Sequence, residues 1–150
     1  MSTMMPPENH ILRGLFEVAQ RDPHRVLFTF VDETGKDAET RTAQELVQHI
    51  TRLAAYLHEG CGLQPGDTAL LIYPPSMEFI EAYGACLLAG IVAAPVYPPN
   101  LARPHNDLVR LNAVATSSGA KAMLTNRTYR WASRVSSAKE MLSGDSARWP

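Results

Sequence analysis

A chain of 150 residues is long enough to bury a core of its own, and one domain is the default count. Its 45% hydrophobic and 19% charged residues are ordinary for a globular protein, and 14 basic against 15 acidic residues leave a net charge of −1. That balance, with Lys and Arg scattered, offers no basic stripe for nucleic acid or an anionic membrane surface.

Taken from the N-terminus, MSTMMPPENH lacks the basic start and apolar centre of a signal peptide. Asn9 is placed to cap a first helix with Ile11, Leu12, Leu15, Phe16, Val18 and Ala19 at helical spacing, and Asp22-Pro23 stops it. Val26–Val31, β-branched and aromatic, reads as a strand. The turn residues Asp32 to Gly35 then return the chain along a polar edge strand, Lys36–Arg41, to make a hairpin. Thr42 and Glu45 have the spacing of a capping box. The helix they open carries Leu46, Ile50, Leu53 and Leu57 as one apolar stripe and ends at Gly60 and Gly62.

Thr68–Tyr73 is an apolar run without alternation, the pattern of a strand covered on both faces. After Pro74-Pro75, Ser76 can cap a helix over Met77–Ala89 that is apolar almost all round, with Glu78 near the positive end of its dipole. Gly84 permits a close neighbour there, and Gly90 suits the left-handed position after a helix. Ile91–Val96 reads as a second buried strand. Two buried strands joined by a helix make a parallel βαβ crossover. Beyond the second Pro-Pro turn, a helix from near His105 to Ser118 points Leu108, Leu111 and Ala115 inward and ends at Gly119. Ala120–Thr125 is a third short strand. Asn126 can cap a last helix bearing Trp131, Val135, Ala138 and Leu142, which leaves Trp149-Pro150 with no element to join. The fold class expected is α/β, an open, mainly parallel sheet flanked by helices and preceded by a hairpin, with no uninterrupted apolar stretch near the ~18 residues of a membrane span.

The side chains assemble no evident catalytic centre. None of the five histidines has zinc-motif spacing, and all are expected at the surface. There is no G-x-S-x-G nucleophile turn, P-loop or G-x-G-x-x-G. Ser117-Ser118-Gly119 reads as a helix end rather than a phosphate cradle. Glu78 and Glu81 share a helix face, where a solvated surface is the plain reading and a groove lining the sharper one. Cys61 and Cys86 form no disulfide framework; Cys86 falls on the buried helix as a packing residue, and a reducing, cytoplasmic setting follows. The two Pro-Pro turns lie at strand carboxyl ends, where open α/β sheets bind ligands. Tyr73, Ser76, Tyr97, Pro98 and Asn100 are therefore candidates for one wall of a substrate cleft. The alternative is that the prolines stiffen the turns while the tyrosines pack with their hydroxyls at the rim.

YPPSMEFIEAYGACLLAGIVAAPVYPPN, Tyr73–Asn100, resembles the early region of adenylate-forming enzymes and is most similar to the fatty acyl-AMP ligases. SSGAKAMLTN, Ser117–Asn126, resembles the helix end and strand that follow in that family, and a looser likeness runs from about Ile11 to the C-terminus. The resemblance implies that residues 1–150 are the N-terminal part of an AMP-binding domain. The parent enzyme would activate a long-chain fatty acid with ATP and Mg²⁺ and pass the acyl group to an acyl carrier protein, often on a polyketide or peptide synthase. It also implies that the phosphate-holding loop, the metal-binding Glu and the catalytic Lys lie downstream, so that this chain is inactive alone and binds no cofactor. A bare apolar face, through which the chain would self-associate, is the corresponding structural expectation. Two alternatives stay open: an acyl-CoA synthetase of the same superfamily, and a stand-alone, non-enzymatic α/β interaction module.

Overall fold

The computed structural model describes residues 5–100, 104–127, 129 and 130. Helix α1 (Arg13–Arg21) is followed by strands β1 (Val26–Val31) and β2 (Asp37–Thr42), then by helix α2 (Ala43–Glu59). Strand β3 (Thr68–Ile72), helix α3 (Met77–Ala89), strand β4 (Val92–Val96), helix α4 (Pro104–Ser118) and strand β5 (Ala122–Thr125) complete the order. The strands form an antiparallel pair, β1-β2, and a parallel three-stranded sheet in the order β4-β3-β5. This is the α/β architecture expected, with the hairpin as a sheet of its own.

Local chemistry explains most boundaries. Thr42 Oγ1 accepts the Glu45 N–H at 3.3 Å while the Glu45 carboxylate accepts the Thr42 N–H at 2.9 Å, a complete capping box. Ser76 Oγ accepts the Phe79 N–H at 3.3 Å and starts α3, and Gly90 ends it in the left-handed region at φ 69°. Helix α1 departs from expectation. It begins at Arg13, and Asn9 does not cap it. No side chain caps it; His10 instead fixes the residue before it, its Nδ1 accepting the Leu12 N–H at 3.1 Å. The tautomer that accepts there donates from Nε2 to the Leu87 carbonyl, 3.2 Å away. Ile11, expected inward, is 78% exposed.

The register of the parallel sheet sorts its side chains into two cores. Ala69 and Leu71, with Ala93 on β4 and Ala122 and Leu124 on β5, face α3 and, beyond it, Ala54 and Leu57 of α2. Leu70 and Ile72, with Ala94, Val96 and Met123, face Leu108 and Leu111 of α4. Helices thus cover both sides, and β3 is buried along Ala69–Ile72; each large side chain there contributes about 1.5–3 kcal/mol. Strands β4 and β5, expected buried, are not. Val92 is 52% exposed and no residue of Ala122–Thr125 is fully covered, because each strand borders β3 on one side and has no described strand on the other. The cap of the last helix is present, with Asn126 Oδ1 accepting the Tyr129 N–H at 3.1 Å. Its apolar stripe, Trp131 to Leu142, and Trp149-Pro150 lie outside the described residues.

Candidate substrate cleft

The sheet's connections create the site. From β3 the chain turns through Tyr73-Pro74-Pro75-Ser76 into α3 on one face of the sheet; from β4 it turns through Tyr97-Pro98-Pro99-Asn100 toward α4 on the other. Neighbouring strands whose onward connections leave toward opposite faces open a crevice at their carboxyl ends. A cleft of about 390 Å³ occupies that crevice, within the usual range for small-molecule sites, roughly 300–1,000 Å³. Pro74 and Pro75 of the first turn, Tyr97 to Asn100 of the second, and Asp107 and Tyr129 line it.

The five predicted residues are placed unequally. Tyr97, Pro98 and Asn100 line this cleft. Pro98 is buried, whereas Tyr97 is 89% exposed. Asn100 is anchored through its backbone, its N–H donating to Asp107 Oδ2 at 2.9 Å. Ser76 lies outside the lining and is engaged as the cap of α3. Tyr73 faces a separate cavity of about 270 Å³ between α3 and the Thr125–Arg127 segment. Burial, and secondarily the charge of Glu78, raises its phenol well above the ordinary value. Pro74 and Pro75 could have been included from their position beside Tyr73. Asp107 and Tyr129 reach the cleft from separate elements and leave no periodic signal in the sequence.

A second arrangement was not legible in the chain. Glu81 on α3, for which a solvated face was the plain reading and a groove lining the sharper one, is only 13% exposed and lines, with Glu78, the cavity that Tyr73 faces. Its Oε1 accepts from Arg41 Nε at 2.7 Å and from His49 Nδ1 at 2.8 Å, and Arg41 also pairs with Glu39 at 2.6 Å. The hydrogen bond to Glu81 reinforces the charged form of Arg41. Strand β2, α2 and α3 thus meet at one carboxylate. The histidines likewise depart from a purely surface role. His10, His49 and His58 are half-buried and bonded, His58 Nδ1 donating to the Leu63 carbonyl at 2.8 Å, while His24 is exposed. Cys86 packs in the core, burial pushing its thiol up to about 11, and Cys61 is exposed. No group of His, Cys, Asp and Glu suited to a metal ion is gathered among the described residues, and no described helix is long and apolar enough to cross a membrane.

Fold and cleft together define a parallel α/β unit with an open cleft at the carboxyl ends of its strands. The sequence profile of the family described as "AMP-binding enzyme" matches residues 15–148, and the chain belongs to that family. The crystal structure of a fatty acyl-adenylate ligase from Legionella pneumophila, in complex with acyl adenylate and pyrophosphate, superposes with a TM-score of 0.68 at 28% identity, covering 79% of this chain and 20% of that one. The medium-chain-fatty-acid–[acyl-carrier-protein] ligase JamA of Moorena producens is 32% identical over 102 residues, 68% of this chain and 17% of its own length. Disco-interacting protein 2 homolog B-A of Danio rerio is 31% identical over 110 residues, 73% of this chain. The chain spans 7% of that fish protein. The Tyr73–Asn100 likeness to fatty acyl-AMP ligases is therefore matched in three dimensions, and the unit corresponds to part of the N-terminal subdomain of an adenylate-forming enzyme.

Proposed function

We propose that the polypeptide carrying this chain is a fatty acyl-AMP ligase, and that residues 1–150 supply one wall of its substrate cleft. The observation that carries this reading is the pair of Pro-Pro turns at the β3–β4 switch point, within a fold that superposes on a solved ligase of that activity. In the reaction, a carboxylate oxygen of the fatty acid attacks the α-phosphorus of ATP, the bond to the β-phosphate oxygen breaks, and pyrophosphate leaves. The carrier protein's phosphopantetheine thiol then attacks the acyl carbonyl and AMP departs. Mg²⁺ would neutralise phosphate charge as the pyrophosphate leaves.

The described residues do not fit a site for ATP or Mg²⁺. Ser117 and Ser118 donate their hydroxyls back to the Val114 and Ala115 carbonyls and close a helix end, and no metal-ligand group is present among the described residues. Nucleotide and metal are assigned to other segments of the parent, and this chain alone is expected to form no acyl-adenylate. A cytoplasmic setting accords with Cys61 and Cys86 as free thiols.

Pyrophosphate release by the native polypeptide, with and without a long-chain fatty acid, is the direct test. Fatty-acid-dependent release, followed by acyl transfer to carrier protein rather than to coenzyme A, is the expected result. Release followed by transfer to coenzyme A alone would make it an acyl-CoA synthetase. A second reading, a non-enzymatic interaction module, draws support from relatives named for an interaction, the disco-interacting proteins, at about the same identity as JamA. No fatty-acid-dependent release from a folded, full-length protein would favour it.

A further inference from the structure

We propose that strand β1 is a self-pairing edge, through which two copies of this chain join their hairpins into one four-stranded antiparallel sheet. Val26–Val31 reads VLFTFV, without charge, proline or glycine and rich in the β-branched and aromatic types that strands favour. Strand β2 covers one edge of it, and no described strand lies on the other. The Asp32 N–H donates inward to the Lys36 carbonyl at 2.8 Å, so Thr29 and Val31, an odd number of residues back, direct their backbone groups outward. Val26, Phe28 and Val31 are 51%, 40% and 52% exposed. Other open edges are guarded: Pro95 interrupts β4, β2 carries Asp37, Glu39 and Arg41, and β5 is only 4 residues long. An apolar edge with none of these devices is a template for another strand.

The occupant that fits is a second copy. Antiparallel pairing about a twofold axis sets outward-directed residues opposite one another, and Thr29 on the axis satisfies that condition. Thr29 then exchanges both backbone hydrogen bonds with its own counterpart, Phe28 faces Phe30, and Leu27 faces Val31, so that apolar side chains meet along the strand. Past the strand ends, Arg25 comes opposite Glu33 of the second copy, twice by symmetry. Both residues are exposed and have no side-chain partner among the described residues, whereas the Asp32 carboxylate is already engaged by Thr34 and Lys36. The edge is thus complementary to itself in charge as well as in shape. A lone hairpin is marginal in water, and the pairing makes it part of a larger sheet.

The test is sedimentation of the native full-length polypeptide over a range of concentrations at low salt, with amide exchange read at the same concentrations. The unaltered protein is expected to dimerise, and the Thr29 and Val31 amides to exchange more slowly as the dimer fills. Arg25→Glu and Glu33→Arg each set like charges against one another at both ends of the pairing and should weaken the dimer about tenfold or more. An equal mixture of the two variants should dimerise as the unaltered protein does, because every pair in the mixed dimer joins an acid to a base. Misfolding of either variant could not produce that recovery. A monomer at every concentration, variants that dimerise as tightly as the unaltered protein, or a mixture no tighter than its components would overturn the proposal. So would Thr29 and Val31 amides protected equally at all concentrations, which would put another segment of the same polypeptide on that edge.

Discussion

Gly84 lets α3 approach α2 closely. A Cβ there would stand 2.5 Å from Ile50 Cδ1 and 2.9 Å from Ile50 Cγ1, and Ile50 is only 2% exposed. Alanine suits a helix better than glycine by about 1 kcal/mol, but overpacking a filled core costs about 1–3 kcal/mol. Gly84→Ala is therefore expected to lower the thermal midpoint by a few degrees, at about 2–4 °C per kcal/mol for a chain this long. Pairing it with Ile50→Val should recover part of the loss. An unchanged midpoint for the single variant would mean that Ile50 turns aside at no cost. Asp67 is one of the carboxylates that contribute to the acid dependence, with Asp32 and Glu45. The Lys121 ammonium 2.6 Å away, and secondarily the Gln64 N–H, hold its carboxyl below the ordinary 3.8. A depressed pKa stabilises the fold above the unfolded value, and that contribution is lost as pH falls through the folded value. Asp67→Asn should leave a shallower loss of stability on acidification below about pH 4, read by denaturant titrations across that range. An identical acid profile for variant and parent would remove Asp67 from the account.

The hairpin is the element most dependent on its surroundings. Two strands alone are marginal in water, and β1-β2 is largely exposed, with Val26 at 51% and Val31 at 52%. The Arg41–Glu81 pair ties its second strand to α3. Glu81→Gln keeps the shape of the side chain and removes the charge that Arg41 and His49 share. Amide exchange is expected to quicken across Val26–Val31 and Asp37–Thr42 while Ala69–Ile72 stays protected. Equal protection in both proteins would show that backbone pairing alone holds the hairpin. Elements such as this were legible in part. The capping box at Thr42, the bounds of α3 and the hairpin turn are local chemistry, so the sequence contains them. The start of α1 was misplaced because no side chain caps it; the chain ahead of it is held instead by His10, bonded to the Leu12 N–H and to Leu87, a residue 77 positions away. For Glu81 the solvated face was the plain reading and a groove lining the sharper one; it lines the cavity beside Tyr73, but helical spacing identifies a face and not the partners that meet it. Arg41 lies 40 positions earlier, and only the packing of α2 against α3 brings the two together.

At the scale of the molecule, the alternating strands and helices named the fold class, but the absence of alternation in Ile91–Val96 did not mean burial on both sides. Strand β4 has β3 on one side and no described strand on the other. The Val92 N–H donates inward to the Asp67 carbonyl, so Pro95, an odd number of residues along, directs its missing N–H outward. The outer edge is thereby a poor template for another strand, as edge strands often are. Pro95→Val is expected to restore the donor and increase self-association, measured as a concentration-dependent rise in sedimentation coefficient. No change would mean that the edge is shielded by something other than proline. The cleft was only partly legible for a related reason. Both turns are visible in the sequence, but which side chains share a crevice depends on α3 and α4 leaving toward opposite faces, and that sent Tyr73 to a different cavity from Tyr97. The strand order β4-β3-β5 has a further consequence, for synthesis. The central strand leaves the ribosome before either neighbour, and each edge of it is filled by the next strand to emerge. At about 5–20 residues per second, β3 waits a few seconds for β4 and a few more for β5. During that interval Leu70 and Ile72 lack the helix that will cover them, since α4 follows β4. A chaperone that binds nascent apolar segments should therefore engage ribosomes stalled with Val96 just outside the exit tunnel more strongly than ribosomes stalled with Thr125 outside it.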